Sequence, residues 1–297
     1  MVDVIDLGFQ GQAEVIASYV VRGPGGAALV ETGPGSTLPQ LEAGLARLGL
    51  GWEDIGDVLL THIHLDHAGA AGWIARRSGA RVHVHHLGAP HLADPSRLLA
   101  SAQRIYGDLM APLWGEFLAV PAEQLHILHD NDVIEAAGRR FIALDTPGHA
   151  YHHMAYLSEG LCFTGDVAGV CLPGFRHIRL PTPPPEFDLP AWKASLARLK
   201  ALKPDRLLLT HFGPVAAEVQ AHLQGVEARL DEVTAFIAGR WRVGATQAEM
   251  VRDYADWVAQ QAAAEGCDPA TVHRYEVVVP SFMEITGLVR YLTKAAG

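Results

Sequence analysis

Three imidazoles and a carboxylate fall between positions 62 and 67, in Thr61-His62-Ile63-His64-Leu65-Asp66-His67, directly behind the apolar run Val58-Leu59-Leu60. Neutral imidazole nitrogen and carboxylate oxygen are the donors that zinc and similar divalent metals take. Residues i and i+2 of an extended chain point to one side, so His62 and His64 can converge on one ion. A turn into helix near Asp66 would free Asp66 and His67 to face a second.

The chain has 16 histidines, so a chance surface cluster is the competing explanation. Three further segments weigh against it. Phe141-Ile142-Ala143-Leu144-Asp145-Thr146 breaks at Pro147-Gly148 and delivers His149; Leu161-Cys162-Phe163-Thr164 stops at Gly165 and delivers Asp166. Leu207-Leu208-Leu209-Thr210 delivers His211 just before Gly213-Pro214. Strand-like runs that end in a ligand-type residue beside a Gly or Pro break match the place where open sheets carry their chemistry.

The surrounding pattern must hold these strand ends in register. Val15 to Val21 and Ala27 to Val30 read as strands, followed by the turn Gly33-Pro34-Gly35-Ser36. Leucines at 38, 41, 45 and 48 predict a helix over 38–48, and a second helix is expected over 68–77. Arg81-Val82-His83-Val84-His85 alternates as a strand, so the layout is α/β. Between 87 and 125, Tyr106, Met110, Trp114 and Phe117 form a helical face, for which core packing is favoured over a substrate wall.

Six prolines, at 173, 181, 183, 184, 185 and 190, make the segment after Asp166 a stiff loop. Its position makes Phe175, Arg176, His177, Arg179 and Phe187 pocket candidates, although a packing or solvated role is favoured for each singly. The helix 189–203 then leads to the strand carrying His211. Helix-like stretches at 215–238, 246–264 (with Thr246 as cap) and 284–295 carry no ligand pattern and read as a helical extension closing over one edge of the core. His83, His85, His86, His126 and His129 read as structural. For His152 and His153 a hydrogen-bonding role behind metal ligands balances a purely structural one.

Composition narrows the function classes. The 297 residues are 49% hydrophobic and 19% charged, those of an ordinary globular protein. A net charge of −10 without any Lys/Arg run argues against nucleic acid as a partner. Cys162, Cys171 and Cys267 form no CxxC pair and suit a reducing compartment. No basic-then-apolar leader or apolar run of membrane-spanning length is present, so a cytoplasmic protein acting on a small molecule, with no membrane partner, is expected. Self-association is left open.

The string His62-x-His64-x-Asp66-His67, followed by Thr146-Pro147-Gly148-His149, Thr164-Gly165-Asp166 and Thr210-His211-Phe212-Gly213, resembles the metallo-β-lactamase-fold hydrolase superfamily over roughly residues 1–214. The resemblance implies an α/β fold, a four-layer αββα sandwich as catalytic domain 1–214, with the C-terminal α-helical extension 215–297. It implies that His62, His64 and His149 hold one metal, that Asp66, His67 and His211 hold a second, and that Asp166 bridges them. Two zinc ions are the expected cofactors, with manganese or iron as alternatives. One departure is visible: Glu31-Thr32-Gly33 carries Glu where the family usually has Asp, which bears on ligand orientation rather than metal binding.

Two such ions about 3.5–4 Å apart would share a metal-bound hydroxide formed near pH 7, with no Ser or Cys nucleophile needed. Two oxygens suit Asp166 to bridging, which the single lone pair of a neutral imidazole does not permit. Asp66 could pass a proton to the leaving group, which makes Asp66 and Asp166 the catalytic candidates. The expected activity is hydrolysis of a small ester-like substrate: a lactone, thioester or phosphodiester. The competing readings are a mononuclear iron persulfide dioxygenase built on His62, His149 and Asp166, and a non-catalytic metal-binding protein.

Overall fold

The computed structural model describes residues 1–296. Six strands, β1 (Val2–Asp6), β2 (Ala17–Gly23), β3 (Gly26–Val30), β4 (Ile55–Leu59), β5 (Arg81–His85) and β6 (Leu125–Leu128), form one sheet in that order. The second sheet holds β7 (Val133–Ala136), β8 (Arg139–Asp145), β9 (Met154–Ser158), β10 (Leu161–Gly165), β11 (Arg206–Leu209) and β12 (Gly213–Val215), again in sequence order. Between strands and after them run helices α1 (Leu38–Arg47), α2 (Leu65–Ala68), α3 (Ala71–Ser78), α4 (Ala89–Ala93), α5 (Ser96–Tyr106), α6 (Met110–Trp114), α7 (Leu189–Leu202), α8 (Val219–Arg242), α9 (Gln247–Ala264), α10 (Pro269–Val278) and α11 (Ser281–Ala296).

Strand periodicity sorts the apolar side chains into three layers. Tyr19, Val21, Ala28, Val30 and Leu59 of the first sheet face Phe141, Ala143, Tyr156, Phe163 and Leu208 of the second. The alternate residues Val20, Leu29 and Val58 pack outward with Leu41 and Leu45 of α1 and Ile74 of α3. On the other side Leu144, Cys162, Leu207 and Leu209 pack with Leu196 of α7, Leu223 and Val226 of α8, Tyr254 of α9 and Leu288 of α11. The order is therefore helix, sheet, sheet, helix. Strands buried on both faces must be apolar at consecutive positions, which is why they read as unbroken runs. The extension beyond residue 215 supplies much of one helical layer, with α8, α9 and α11 packed on the second sheet.

Several elements differ from the sequence expectation for local reasons. The helix expected over 68–77 divides at Gly69-Ala70, where the Ala70 N–H donates to Gly33 O at 3.0 Å instead of to the preceding turn. The helical face from Tyr106 to Phe117 is interrupted by Gly107 and Gly115, at φ 52 and 66, which leaves Phe117 outside a helix. Helix α10 was not anticipated, although Asp268 accepts from the Thr271 N–H and Pro269 starts the helix, both ordinary N-terminal signals. Thr246 caps α9 as expected, with Glu249 closing the reciprocal bond. Among the described residues, no helix is long and apolar enough to cross a membrane.

Candidate metal centre

The direction of the strands brings the ligand-type residues together. β3 and β4 run parallel, as do β10 and β11, and β8 is antiparallel to β9, which is antiparallel to β10. The carboxyl ends of β4, β8, β10 and β11 therefore open on one edge of the sandwich, where His62, His149, Asp166 and His211 follow them. Beyond β4 the chain stays extended to His64, at φ −61 and ψ 155, and then enters α2, which turns Asp66 and His67 the other way.

The side chains gather into two sets. His62, His64 and His149 place ring nitrogens within 4.8 Å of one another, and so do the ligand atoms of Asp66, His67 and His211. His149 Nε2 lies 3.2 Å from His62 Nε2 and 2.9 Å from His64 Nδ1, and His211 Nε2 lies 3.3 Å from His67 Nε2. Tetrahedral zinc with Zn–N of about 2.0–2.1 Å would set its nitrogens about 3.3 Å apart, so the spacing fits one small cation per set. Asp166 stands between them. Its Oδ2 is 3.3 Å from His149 and 4.0 Å from His62, whereas Oδ1 is 3.3 Å from His67 and 3.4 Å from His211. Asp166 Oδ1 is buried without a hydrogen-bond partner, which an ion would supply.

Backbone carbonyls and one carboxylate decide which ring nitrogen faces inward. His149 Nδ1 donates to Pro181 O at 2.7 Å, and His211 Nδ1 donates to Val15 O at 2.8 Å, so in both rings Nε2 is left for the cluster. His67 Nδ1 donates to Glu31 Oε2 at 2.7 Å, while Glu31 Oε1 accepts from the Thr61 N–H at 2.8 Å. Glu31 thus ties the segment after β4 to the ring of His67, and the longer side chain does this from a left-handed backbone at φ 68. His153 accepts from the Asp166 N–H at 3.1 Å and bonds Thr146 Oγ1 at 2.8 Å, which places it behind the cluster. His152 instead reaches Glu186 at 3.0 Å.

Charge is distributed unevenly between the sets. Burial and the neighbouring rings His67, His64 and His149 hold His62 well below the ordinary imidazole range. Burial, joined by His149 and His152, takes His64 down to about 3. These rings are neutral and offer lone pairs. In the second set burial works against protonation of His67, yet Asp166, Asp66 and Glu31 outweigh it and raise its pKa well above the ordinary value. Burial would raise Asp66, but His67 and His211 overcome it and leave the carboxyl at about 2. Positive charge is stabilised where these carboxylates meet.

Gly148 sets the position of His149. Its φ is 134, and a Cβ there would lie 2.3 Å from Cα of Trp192 in α7, whose indole donates to Val167 O. Gly148→Ala is therefore expected to push the 147–149 segment off α7 and lower metal affinity at His62, His64 and His149 by about tenfold or more, the scale of losses from disturbed ligand support. Equilibrium dialysis of the variant against a metal buffer checks this, and unchanged affinity would mean that the helix yields instead.

A cavity of about 410 Å³ opens on the cluster, with His64, Asp66, His149, Asp166 and His211 on its floor. Tyr106 and Trp114 line it while also packing on the core, so both roles weighed for that face occur together. Of the loop candidates, Phe175, Arg176, His177, Arg179 and Phe187 all lie off the cavity wall, which Pro181 to Glu186 supply instead. Arg176 pairs with Glu218 at the surface, and Arg179 is drawn to Glu284. Tyr151 and Glu186 were not foreseen as lining residues, whereas the α10–α11 junction, through Val277–Pro280 and Phe282–Glu284, belongs to the helical extension expected to close over an edge of the core. The position of Glu186 directly after the proline run was the one available hint. Away from the cavity, His83 bonds both Asp57 and His126, a structural chain as expected.

Residues 11–211 match the family model described as Metallo-beta-lactamase superfamily. A metallo-beta-lactamase fold-containing protein, ST1585, of Sulfurisphaera tokodaii is 31% identical over 171 residues, which cover 56% of this chain and 64% of that protein. A hydroxyacylglutathione hydrolase of Ectopseudomonas mendocina is 32% identical over 198 residues, covering 63% of this chain and 59% of that one. The chain thus spans about three fifths of the length of these curated relatives. Among solved structures, a metallo-beta-lactamase family protein from Thermus thermophilus shares the fold with a TM-score of 0.70 at 24% identity, over 99% of this chain and 94% of that one.

Proposed function

We propose, because this chain belongs to the metallo-beta-lactamase superfamily, that it is a metal-dependent hydrolase holding two divalent ions, zinc foremost, and cleaving a small ester-like substrate such as a lactone, thioester or phosphodiester. The observation that carries the dinuclear reading is the division of Asp166, with Oδ2 turned to His149 and Oδ1 to His67 and His211. His62, His64 and His149 would hold one ion, Asp66, His67 and His211 the other, and Asp166 would touch both. Bound there, the ions would supply a nucleophilic water at neutral pH and polarise the scissile oxygen.

The chain's own groups do the rest. Glu31 keeps the His67 ring turned inward, and His153 fixes the backbone of Asp166. Asp66, on the cavity floor, is placed to pass a proton to the leaving group. Residues 1–214 would form the catalytic unit, with 215–297 as a helical extension in the same cooperative fold. The hydroxyacylglutathione hydrolase relative adds weight to the thioester within that set.

The test combines metal analysis with a panel of lactone, thioester, phosphodiester and β-lactam substrates and an oxygen electrode. Two ions per chain with hydrolysis supports the proposal; one iron with oxygen consumption points to a dioxygenase, and bound metal without turnover to a binding protein. A paired substitution separates the sites. His149→Ala should lower occupancy mainly in the first set, and His211→Ala mainly in the second. Equal loss of both ions in both variants would show that the two sets do not act as separate sites.

A further inference from the structure

Outside the ligand cluster the cavity is walled by apolar side chains from three directions. Ile63 and Leu65 rise from the floor, Leu98, Ala102 and Leu113 come from α5 and α6, and Val278 and Met283 come from the α10–α11 junction. The apolar wall continues past the mouth into solvent. Ile105, Leu109, Tyr151 and Phe282 line the cavity while keeping 39%, 58%, 53% and 42% of their surface exposed. Side chains of this kind are ordinarily covered, and a group of them at the entrance to a cavity marks a surface that receives an apolar ligand.

The charge inventory points the same way. Among the described residues away from the cluster floor, the charged and titratable lining groups besides tyrosines are His91, Arg97, His152, Glu186 and Glu284. Glu284 is taken by Arg179 and Tyr254, which among the described residues leaves Glu186, 3.0 Å from His152 and with its Oε2 lacking a hydrogen-bond partner, as the single carboxylate of the wall not engaged in an ion pair with an arginine. Arg97 is the one arginine or lysine on the wall among the described residues, and it sits exposed on α5. A tripeptide thiol such as glutathione brings two carboxylates and an ammonium group, and a phosphodiester brings a fixed anion. The walls provide no set of cations for either.

We infer that the substrate carries a long apolar acyl chain that lies along α5, α6 and the α10–α11 junction, joined through an ester, lactone or thioester to a group with no cluster of charges. This rests on the hydrolase reading and narrows it. The carbonyl would sit on the cluster floor and the chain would run outward past Leu109 and Phe282. Hydrolysis adds the elements of water across the acyl bond, releasing a proton with a fatty carboxylate and a neutral alcohol or thiol from an ester or thioester, or with the ring-opened hydroxycarboxylate from a lactone, and no oxidant or reductant is required. A cavity of about 410 Å³ is at the lower end of the range for small-molecule sites, so the tail of a longer chain would cover the exposed residues at the mouth.

The test uses the full-length, zinc-loaded chain and two readouts. Calorimetric binding of straight-chain carboxylates, the acyl products, should show Kd falling about fourfold for each added methylene until the cavity and mouth are filled. In turnover, kcat/KM for acyl thioesters of N-acetylcysteamine should rise by a similar factor per methylene and exceed that for the same acyl group on glutathione. Leu109→Asn and Phe282→Asn, at exposed positions where the fold loses little, should each reduce the ratio of decanoyl to acetyl kcat/KM several-fold. A Kd that does not change from butanoate to decanoate overturns the inference, as does a preference for the glutathione thioester. An unchanged decanoyl-to-acetyl ratio in both variants also overturns it. Carboxylates that bind more tightly with length while no ester is cleaved would leave the apolar site standing and remove the hydrolase reading; turnover without any length dependence would do the reverse.

Discussion

Replacing Asp166 with Ala is expected to abolish activity and to lower metal content at both ligand sets. The carboxylate is buried, and each of its oxygens lies 3.3 Å from a histidine of a different set. Two unit charges about 4 Å apart repel by about 4 kcal/mol at an effective dielectric of 20, and two dications by about four times that. In the proposed dinuclear site Asp166 would be the anion between them, so its loss should weaken both sites at once. Activity should fall by more than the ~10²–10³ that follows removal of one transition-state donor. Metal-to-protein ratios after dialysis, measured by mass spectrometry beside kcat/KM, decide the matter. A variant that keeps two tightly bound ions would overturn the bridging assignment.

Arg179→Met is expected to lower stability by about 3–5 kcal/mol, the cost of stripping one partner from a buried ion pair. Arg179 is 3% exposed and runs from the proline-rich loop into the C-terminal helices. It donates to Glu284 from Nε and Nη2, to Glu276 at 2.8 Å and to Val279 O at 2.8 Å, and Tyr254 donates to the far oxygen of Glu284 at 2.8 Å. Burial opposes the guanidinium charge, but Glu284, Tyr254 and Glu276 outweigh it and keep Arg179 charged, whereas burial lifts the Glu284 carboxyl to about 7 against the pull of the arginine. Removing the arginine leaves the Glu284 carboxylate buried against the cavity wall. A drop in Tm on the order of 10 °C follows, read by calorimetry, with metal content largely retained because no ligand-type residue is touched. The double variant with Glu284→Gln should recover part of the loss, since no buried carboxyl is then left without its partner. If the single variant melts like the parent chain, the network does not join the extension to the core, and 215–297 is energetically independent of it.

The residue types at the cluster were legible because their signals are local. An apolar run, a Gly or Pro break and a ligand-type side chain are adjacent in sequence, and strands covered on both faces have to be written as such runs. The same logic made α1 and α9 readable, from leucine spacing and a capping threonine. Breaks imposed from outside the segment were not: Gly69-Ala70 divides a helix only because Gly33 O lies against it.

What the chain by itself determined is which side chains end up at one edge of the sandwich, since parallel neighbours such as β3 with β4 and β10 with β11 must end together. Tertiary structure alone decided which oxygen of Asp166 faces which set, that Glu31 reaches His67 from 36 positions away, and that the wall opposite the cluster is built from Leu98, Leu113 and Met283. Local periodicity states that a face is apolar, not what it will meet. Whether Tyr106 and Trp114 pack on the core or line a cavity depends on where α10 and α11 settle, more than 150 residues later, and that is set by packing and by the buried bonds of Arg179 and not by any pattern within the segment itself.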